Sequence, residues 1–116
     1  MQHDDLVYAG QMLDLARKAI AKVEGLDRND YDRDENLRLA LTHLLQTVGE
    51  AARHVSAAFS NTHPDVPWSK IVGMRHRIVH DYLDVDEDLV WVVVTRDLPP
   101  LVRALSAFVP PLPEEP

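Results

Sequence analysis

Two side chains in one short stretch of the sequence could together cleave a phosphodiester. In the segment RHRIVHDY, residues 75–82, Arg75 is followed by four residues and then by His80, and Tyr82 comes two residues later. An arginine guanidinium can hold a phosphate through two parallel hydrogen bonds. Histidine titrates near neutral pH, so it can move a proton. Because the 2′-OH of RNA is itself a nucleophile, this pair would suffice for RNA cleavage without a metal.

The charge around this pair favours an anionic ligand only locally. The whole chain carries 12 Lys and Arg against 19 Asp and Glu, and its net charge of −7 repels a phosphate polymer on average. Residues 66–80, however, contain no acid. Their cations are Lys70, Arg75 and Arg77, a charge of +3, and protonation of His76 or His80 would add to it. We therefore expect the site in this stretch, with Lys70, His76 and Arg77 as supporting residues.

A zinc site is the competing interpretation of the two histidines. His76 and His80 stand at i and i+4, the spacing of two zinc ligands on one helix. The zinc-protease pattern has a glutamate after the first histidine, whereas here Arg77 stands there and would repel a cation. The chain has no cysteine, and no third ligand lies nearby in the sequence. We expect neither a metal nor another cofactor.

Apolar residues recur at helical spacing through the first half of the chain. A first helix is predicted over residues 4–24, with acids at its start and Gly25 as its C-terminal glycine. After a polar, turn-like segment, Asp32 and Glu35 form an Asp-x-x-Glu cap for a second, longer helix. The apolar stripe of that helix continues to Phe59, about seven turns further on.

The second half predicts two further helices and a short terminal piece. Pro67 suits the first residue of a third helix, whose stripe continues to Tyr82. A polar break at residues 84–86 supplies an N-cap for the segment LVWVVVT, which is rich enough in β-branched residues to resemble a strand. An isolated strand has nothing to pair with, so we predict a fully buried helix there. The two prolines at 99–100 should end or kink it.

These elements predict one all-α domain, an antiparallel bundle of four to five helices spanning residues 1–108, with a proline-rich tail at 109–116. A length of 116 residues corresponds to one domain, and a composition that is 46% hydrophobic and 27% charged excludes disorder. No apolar run reaches the roughly 20 residues that span a bilayer. We expect a cytoplasmic protein that does not bind membranes.

The predicted third helix creates a geometric conflict for the candidate pair. Arg75 falls on its apolar stripe, and a charge facing a core must be paired, or must face a cavity or a second subunit. Glu50 could pair with it across the bundle, or could equally be an exposed acid. On a straight helix, Arg75 and His80 point roughly 140° apart. Either the helix unwinds near His80, or two subunits combine their residues in a two-fold homodimer.

A series of linked motifs in residues 44–105 resembles the HepT-like branch of the HEPN superfamily. The matching pieces are GEAA at 49–52, PDVPW at 64–68, GMR at 73–75, HDY at 80–82, DVD at 84–86, Trp91 and DLP at 97–99. The resemblance implies an all-α homodimer with composite clefts at its interface, which acts as a ribonuclease toxin. It also implies a partner antitoxin, a small nucleotidyltransferase of the MNT type.

The resemblance assigns roles to three residues of the motif. Arg75 matches the arginine that handles phosphate, and His80 matches the general acid or base. Tyr82 matches a tyrosine that the antitoxin AMPylates to silence the toxin. One position departs from the family, which usually has an asparagine after the arginine, whereas this chain has His76.

A second class of function uses the same surface without catalysis. The chain could be a helical adaptor, or a nucleotide-binding partner of a nucleotidyltransferase, that docks its partner through Tyr82 and the basic stretch. Only the ribonuclease needs His80 for turnover, so RNA cleavage by a His80→Ala variant separates the two hypotheses.

Overall fold

The computed structural model describes residues 4–81 and 83–110, and in them it shows helices and one small hairpin. The helices are α1 (Asp5–Val23), α2 (Arg28–Arg33), α3 (Glu35–Arg53), α4 (Ala57–Thr62), α5 (Trp68–Val72), α6 (Met74–Ile78), α7 (Glu87–Val92) and α8 (Leu98–Ser106), with a π-helical segment (Val93–Asp97) between the last two. The antiparallel strands are β1 (Val79–Asp81) and β2 (Asp84–Val85). The predicted all-α fold is confirmed. Within the described residues, no helix is both long enough and apolar enough to span a membrane.

The scaffold of the fold is the pair of 19-residue helices α1 and α3, which pack along each other. They run antiparallel, since Asp5 at the start of α1 accepts hydrogen bonds from the backbone N–H and the hydroxyl of Ser56, just beyond the end of α3, both at 2.8 Å. The side chains between them, including Met12, Leu41 and Leu45, are fully buried. Burial of each such side chain contributes about 1.5–3 kcal/mol.

The predicted ends of α1 are confirmed, whereas the predicted cap of the second helix is wrong. Gly25, at φ +76°, follows α1 in the left-handed conformation that favours glycine. The polar segment after it contains α2, whose capping box joins Asp27 and Asp30. The cap of α3 is Asp34, which accepts from the Leu37 N–H at 3.0 Å.

The second helix also ends earlier than the apolar stripe predicts. It stops at Arg53, and α4 begins after a break at 54–56. Ser56 causes part of this break, because its side chain accepts from the Phe59 N–H at 3.1 Å and thereby caps α4. The bonds from Ser56 to Asp5 of α1 are tertiary contacts, so periodicity could not reveal them.

The predicted third helix is two short helices followed by a hairpin. It breaks at Gly73 and ends at Ile78, four residues before the predicted end. Val79 is already extended at φ −123° and pairs with Val85 of β2. The Ile78 carbonyl accepts from the Asp86 N–H at 2.7 Å, which closes the base of the hairpin. The hairpin was not predicted, because its two strands are too short to show an alternating pattern.

The segment LVWVVVT is helical, as predicted, but it is not fully buried, since Val90, Val93 and Val94 lie in the core whereas Val92 is 36% exposed. Asp86 caps α7 by accepting from the Leu89 N–H at 3.0 Å. The prediction that the two prolines at 99–100 could end the helix is wrong, since helical structure continues through them to Ser106. A π turn directly precedes them, in which the Leu98 N–H donates to the Val93 carbonyl. Proline lacks an N–H, and its ring collides with the carbonyl four residues earlier in an α-helix. The wider turn accommodates both prolines.

A close approach at Gly49 lets α5 pack against α3. A Cβ at this position would lie 3.0 Å from the Ile71 carbonyl oxygen. We predict that Gly49→Ala lowers the free energy of unfolding by about 1–2 kcal/mol, since the backbone clash exceeds the gain in helix propensity of about 0.5–1 kcal/mol. Gly10→Ala in α1 is the matched control, because its Cβ would make an ordinary contact at 3.9 Å and should stabilise the protein. Urea unfolding measures both, and a stabilising Gly49→Ala would contradict this account.

Candidate functional site

The candidate site lies where α6 passes into the hairpin. Met74 and Ile78 bury one side of α6 in the core, with exposed fractions of 3% and 0%. Arg75 and His76 are exposed. The core therefore holds the helix by its apolar residues and presents the basic ones to solvent.

The prediction that Arg75 lies on a core-facing stripe is wrong. The buried residues of α5 and α6 are Ile71, Met74 and Ile78, and the break at Gly73 means that no single straight stripe links them. Within residues 4–81 and 83–110, the Arg75 side chain makes no hydrogen bond or ion pair. Its guanidinium is therefore available to an anion, and no buried counterion is needed.

His80 does not lie on the helix at all. It is the central residue of β1 and is exposed, since α6 ends two residues earlier. The separation of 140° expected for a continuous helix therefore does not apply, and the first of the two predicted solutions, unwinding before His80, is the one observed. In the described part of the chain its imidazole has no hydrogen-bond partner.

The third motif residue, Tyr82, lies outside the described residues. Its neighbours define the tip of the hairpin. Asp81 accepts from the Leu83 N–H at 2.8 Å, a local turn bond, and Leu83 is 81% exposed. Asp81 and Leu83 are therefore both open to solvent.

The predicted supporting residues separate into two groups. Lys70 is exposed on α5, and its carbonyl accepts a long hydrogen bond of 3.4 Å from the Arg77 guanidinium. Glu50, in contrast, pairs with its own helix neighbours, Arg53 at 2.6 Å and His54 at 3.4 Å. The hydrogen bond from Arg53 lowers the pKa of Glu50. Glu50 is therefore an exposed acid and does not pair with Arg75 across the bundle.

The described residues contain no group of three or more His, Asp and Glu side chains that could hold a metal ion. His76 belongs to α6 and His80 to β1, so the two no longer have the i, i+4 geometry of a continuous helix.

Sequence reasoning missed a polar cluster that supports the base of the hairpin. Tyr31 of α2 is buried, and its hydroxyl donates to Glu87, the first residue of α7. Arg38 of α3 lies 3.7 Å from the other oxygen of Glu87. Burial, together with the bond to Glu87, raises the pKa of Tyr31 above its usual range. The only signal in the sequence was one aromatic residue in an otherwise polar segment.

A salt bridge strengthens this link between α2 and α7. The Arg28 guanidinium contacts Asp32 at 2.8 Å and Asp88 at 2.7 Å, and these carboxylates raise its pKa. Because Asp86, Glu87 and Asp88 directly follow β2, α2 holds the segment at which the hairpin returns to the core.

A family profile matches most of the chain. The family described as "Ribonuclease HepT-like" matches residues 12–108, which include α6, the hairpin and α8. No solved structure matches the chain.

Curated proteins from archaea and bacteria are similar over most of the chain. A protein of Methanocaldococcus jannaschii named "Putative RNase MJ1380" is 29% identical over 105 residues, which cover 90% of this chain and 96% of that protein. "Putative RNase TTE0752" of Caldanaerobacter subterraneus is 30% identical over 99 residues, 85% of this chain and 88% of the relative. "Probable ribonuclease HepT" of Thermococcus cleftensis is 31% identical over 88 residues, 72% and 80% of the two chains.

We predict that Tyr31→Phe lowers the free energy of unfolding by about 1–3 kcal/mol at pH 7, since it removes a buried hydrogen bond to a carboxylate. In the unfolded chain the hydroxyl ionises near pH 10, whereas in the folded chain the raised pKa keeps it protonated. The contribution of Tyr31 is therefore complete below about pH 10 and declines as the pH rises further.

Urea unfolding at pH 7 and at pH 10.5 tests this, because the difference between parent and variant should shrink at the higher pH. Glu87→Gln serves as the comparison, since it keeps an acceptor for the hydroxyl but removes the negative charge. If Tyr31→Phe and the parent have the same free energy of unfolding at pH 7, the hydrogen bond of Tyr31 does not contribute to stability.

Proposed function

Because the chain belongs to the ribonuclease HepT-like family and is an endoribonuclease, we propose that it is the toxin of a toxin–antitoxin pair and cleaves RNA without a metal. The observation that carries the mechanism is the end of α6 at Ile78. It places exposed His80 in a strand directly after the helix that presents exposed Arg75. The proposed domain comprises residues 1–108, and residues 109–116 are its tail.

The chemistry follows from what these two side chains can do. Arg75 holds the scissile phosphate through its guanidinium and offsets the charge that develops on the phosphate oxygens. The 2′-OH attacks the phosphorus, and its proton passes to His80. The bond from phosphorus to the 5′-oxygen breaks, and that oxygen takes up a proton. The products are a 2′,3′-cyclic phosphate and a 5′-OH.

A homodimer would complete the site and concentrate its positive charge. Lys70, Arg75 and Arg77 give one chain a local charge of +3 in a molecule of net charge −7. A two-fold axis close to α6 would bring two such surfaces together and create a strongly basic cleft. We propose that His76, in place of the usual asparagine, lies in this cleft, where its protonation adds to the attraction for RNA.

We predict that the purified protein cleaves single-stranded RNA in the presence of EDTA and leaves 2′,3′-cyclic phosphate ends. DNA of the same sequence should survive, because it lacks the 2′-OH. His80→Ala and Arg75→Ala should each lower the rate by about a hundredfold or more. The matched control for Arg75→Ala is Arg103→Ala, an exposed arginine of α8, which packs against α1 and the π-helical segment.

Gel analysis of the RNA product ends and of the cleavage rates decides between the ribonuclease and the adaptor. Cleavage that requires Mg²⁺, or equal cutting of DNA, would contradict the mechanism. A protein that binds RNA or nucleotide with no cleavage by parent or variants would instead be the non-catalytic adaptor.

Tyr82 is the proposed control point of the toxin. We propose that a partner nucleotidyltransferase of the MNT type transfers AMP to its hydroxyl. The exposed neighbours Asp81 and Leu83 support access for such an enzyme. The added phosphate would carry negative charge close to Arg75 and compete there with the phosphate of RNA.

We predict that incubation with such a partner and ATP adds AMP units to the tryptic peptide 78–96, and that RNA cleavage is lost. Tyr82→Phe should cleave RNA like the parent and resist silencing, because it lacks only the hydroxyl. Mass spectrometry of the digest measures the modification. AMP on another peptide, or silencing of Tyr82→Phe, would show that Tyr82 is not the control point.

A further inference from the structure

A cavity of about 340 Å³ lies beside the candidate site and has no role in the mechanism above. Met74 and Arg77 of α6 line it, whereas Arg75 does not. Its wall is apolar and belongs to the core, and the residues that form it include Ile71, Met74, Val93, Leu98 and Leu101. The volume falls at the lower end of the range for small-molecule sites, so the cavity suits one ring system.

Four charged side chains surround these apolar residues. Lys70 and Arg77 are the cations, and Asp65 and Asp97 are the acids. In the part of the chain that the structure describes, the side chains of Lys70, Asp65 and Asp97 have no hydrogen-bond or ion-pair partner. Arg77 uses one of its N–H groups, in the long bond to the Lys70 carbonyl. Cations and carboxylates of this kind, left unpaired around an apolar wall, can bind a flat group that carries a phosphate and a hydrogen-bond donor.

The π-helical segment shapes the same cavity. Val93 is its first residue and forms part of the wall, and Asp97 is its last residue and contributes a carboxylate. Pro100, just beyond it, also lines the cavity. A π turn within a helix is often found at a functional site. Here the turn sets the position of one wall residue and one polar residue.

We propose that this cavity, the base cavity, takes one unpaired nucleobase of the RNA substrate. The base packs against Met74 and Val93, and its phosphate contacts Lys70 and Arg77. Asp65 or Asp97 accepts a hydrogen bond from an exocyclic amino group, which adenine, cytosine and guanine carry and uracil lacks. The cavity thereby sets a base preference. This inference rests on the proposed function, because it makes the occupant part of the RNA that is cut.

The position of α6 supports an RNA nucleotide as the occupant. Arg75 and Arg77 belong to one five-residue helix but lie on different sides of it, since only Arg77 reaches the cavity. An α-helix with its side chains is only about 10 Å across. A single strand that crosses α6 can therefore place one phosphate at Arg75 and a neighbouring base in the cavity.

Binding of uncleavable RNA tests the base cavity without relying on catalysis. We use 2′-O-methyl oligomers of A, C and U with the full-length chain, and we measure affinities by fluorescence anisotropy. The parent should bind the A and C oligomers about fivefold or more tightly than U. In the double variant Asp65→Asn, Asp97→Asn this ratio should fall close to one.

Controls separate base recognition from general electrostatics. Removal of any acid strengthens RNA binding, so the ratio between oligomers is the readout, and Glu24→Gln at an exposed position should leave it unchanged. Lys70→Ala should lower the affinity for all oligomers by the same factor, and by more than Lys22→Ala on α1 does. All these positions are exposed, and melting curves check that the variants fold.

The outcomes distinguish this inference from the proposed function. A base preference that both acids control supports the base cavity, even if the protein cleaves no RNA and the proposed function fails. If the protein cleaves RNA but the double variant leaves the ratio of affinities between oligomers unchanged, the base cavity alone is overturned. Free AMP or CMP could offer the same chemistry. If the double variant abolishes mononucleotide binding but leaves the RNA ratio unchanged, the cavity serves a free nucleotide and the RNA assignment is overturned.

Discussion

The packing of α5 against α3 at Gly49 is the constraint on which the site depends. A Cβ on residue 49 would lie 3.0 Å from the Ile71 carbonyl oxygen, so any residue larger than glycine would require α5 to shift by a few tenths of an ångström. The approach seats Ile71, Met74 and Ile78 in the core. With these three residues buried, Arg75 faces solvent, and the helix ends at Ile78, where the hairpin begins. The backbone contact at Gly49 thus helps to seat α5, which leads directly into the helix that carries Arg75.

Polar contacts fix the end of the hairpin at the start of α7. The cluster of Tyr31, Arg38 and Glu87 ties α2 and α3 to the first residue of α7, and Arg28 adds a bridge to Asp88. These groups surround the point at which β2 ends. Hydrogen bonds to charged groups contribute more than neutral ones, particularly when one partner is buried as Tyr31 is. The strand that carries His80 is therefore short but anchored at its base.

The helix α6 separates two surfaces of different chemistry. Arg75 and His76 are exposed and basic, as the handling of a phosphate requires, whereas Met74 and Arg77 belong to the base cavity. Under the two proposals, this five-residue helix would serve phosphate binding on one side and base recognition on the other. The π turn contributes to the second surface through Val93 and Asp97, and it accommodates the two consecutive prolines that follow it.

The sequence alone determined the helical class, the ends of α1 and the basic stretch 66–80, because each depends on composition or on local periodicity. It also placed Arg75, His80 and Tyr82 in one motif. The helix at LVWVVVT was predicted against its β-branched composition, only because a lone strand would have had no partner. Tertiary structure decided the rest. The break at Ser56 involves a hydrogen bond to Asp5, 51 residues away, and the packing of α5 on α3 involves a close approach of Gly49 and Ile71. The base of the hairpin is closed by a hydrogen bond from the Asp86 N–H to the Ile78 carbonyl. Contacts between residues distant along the chain leave no periodic signal, so only the folded structure shows that His80 has left the helix.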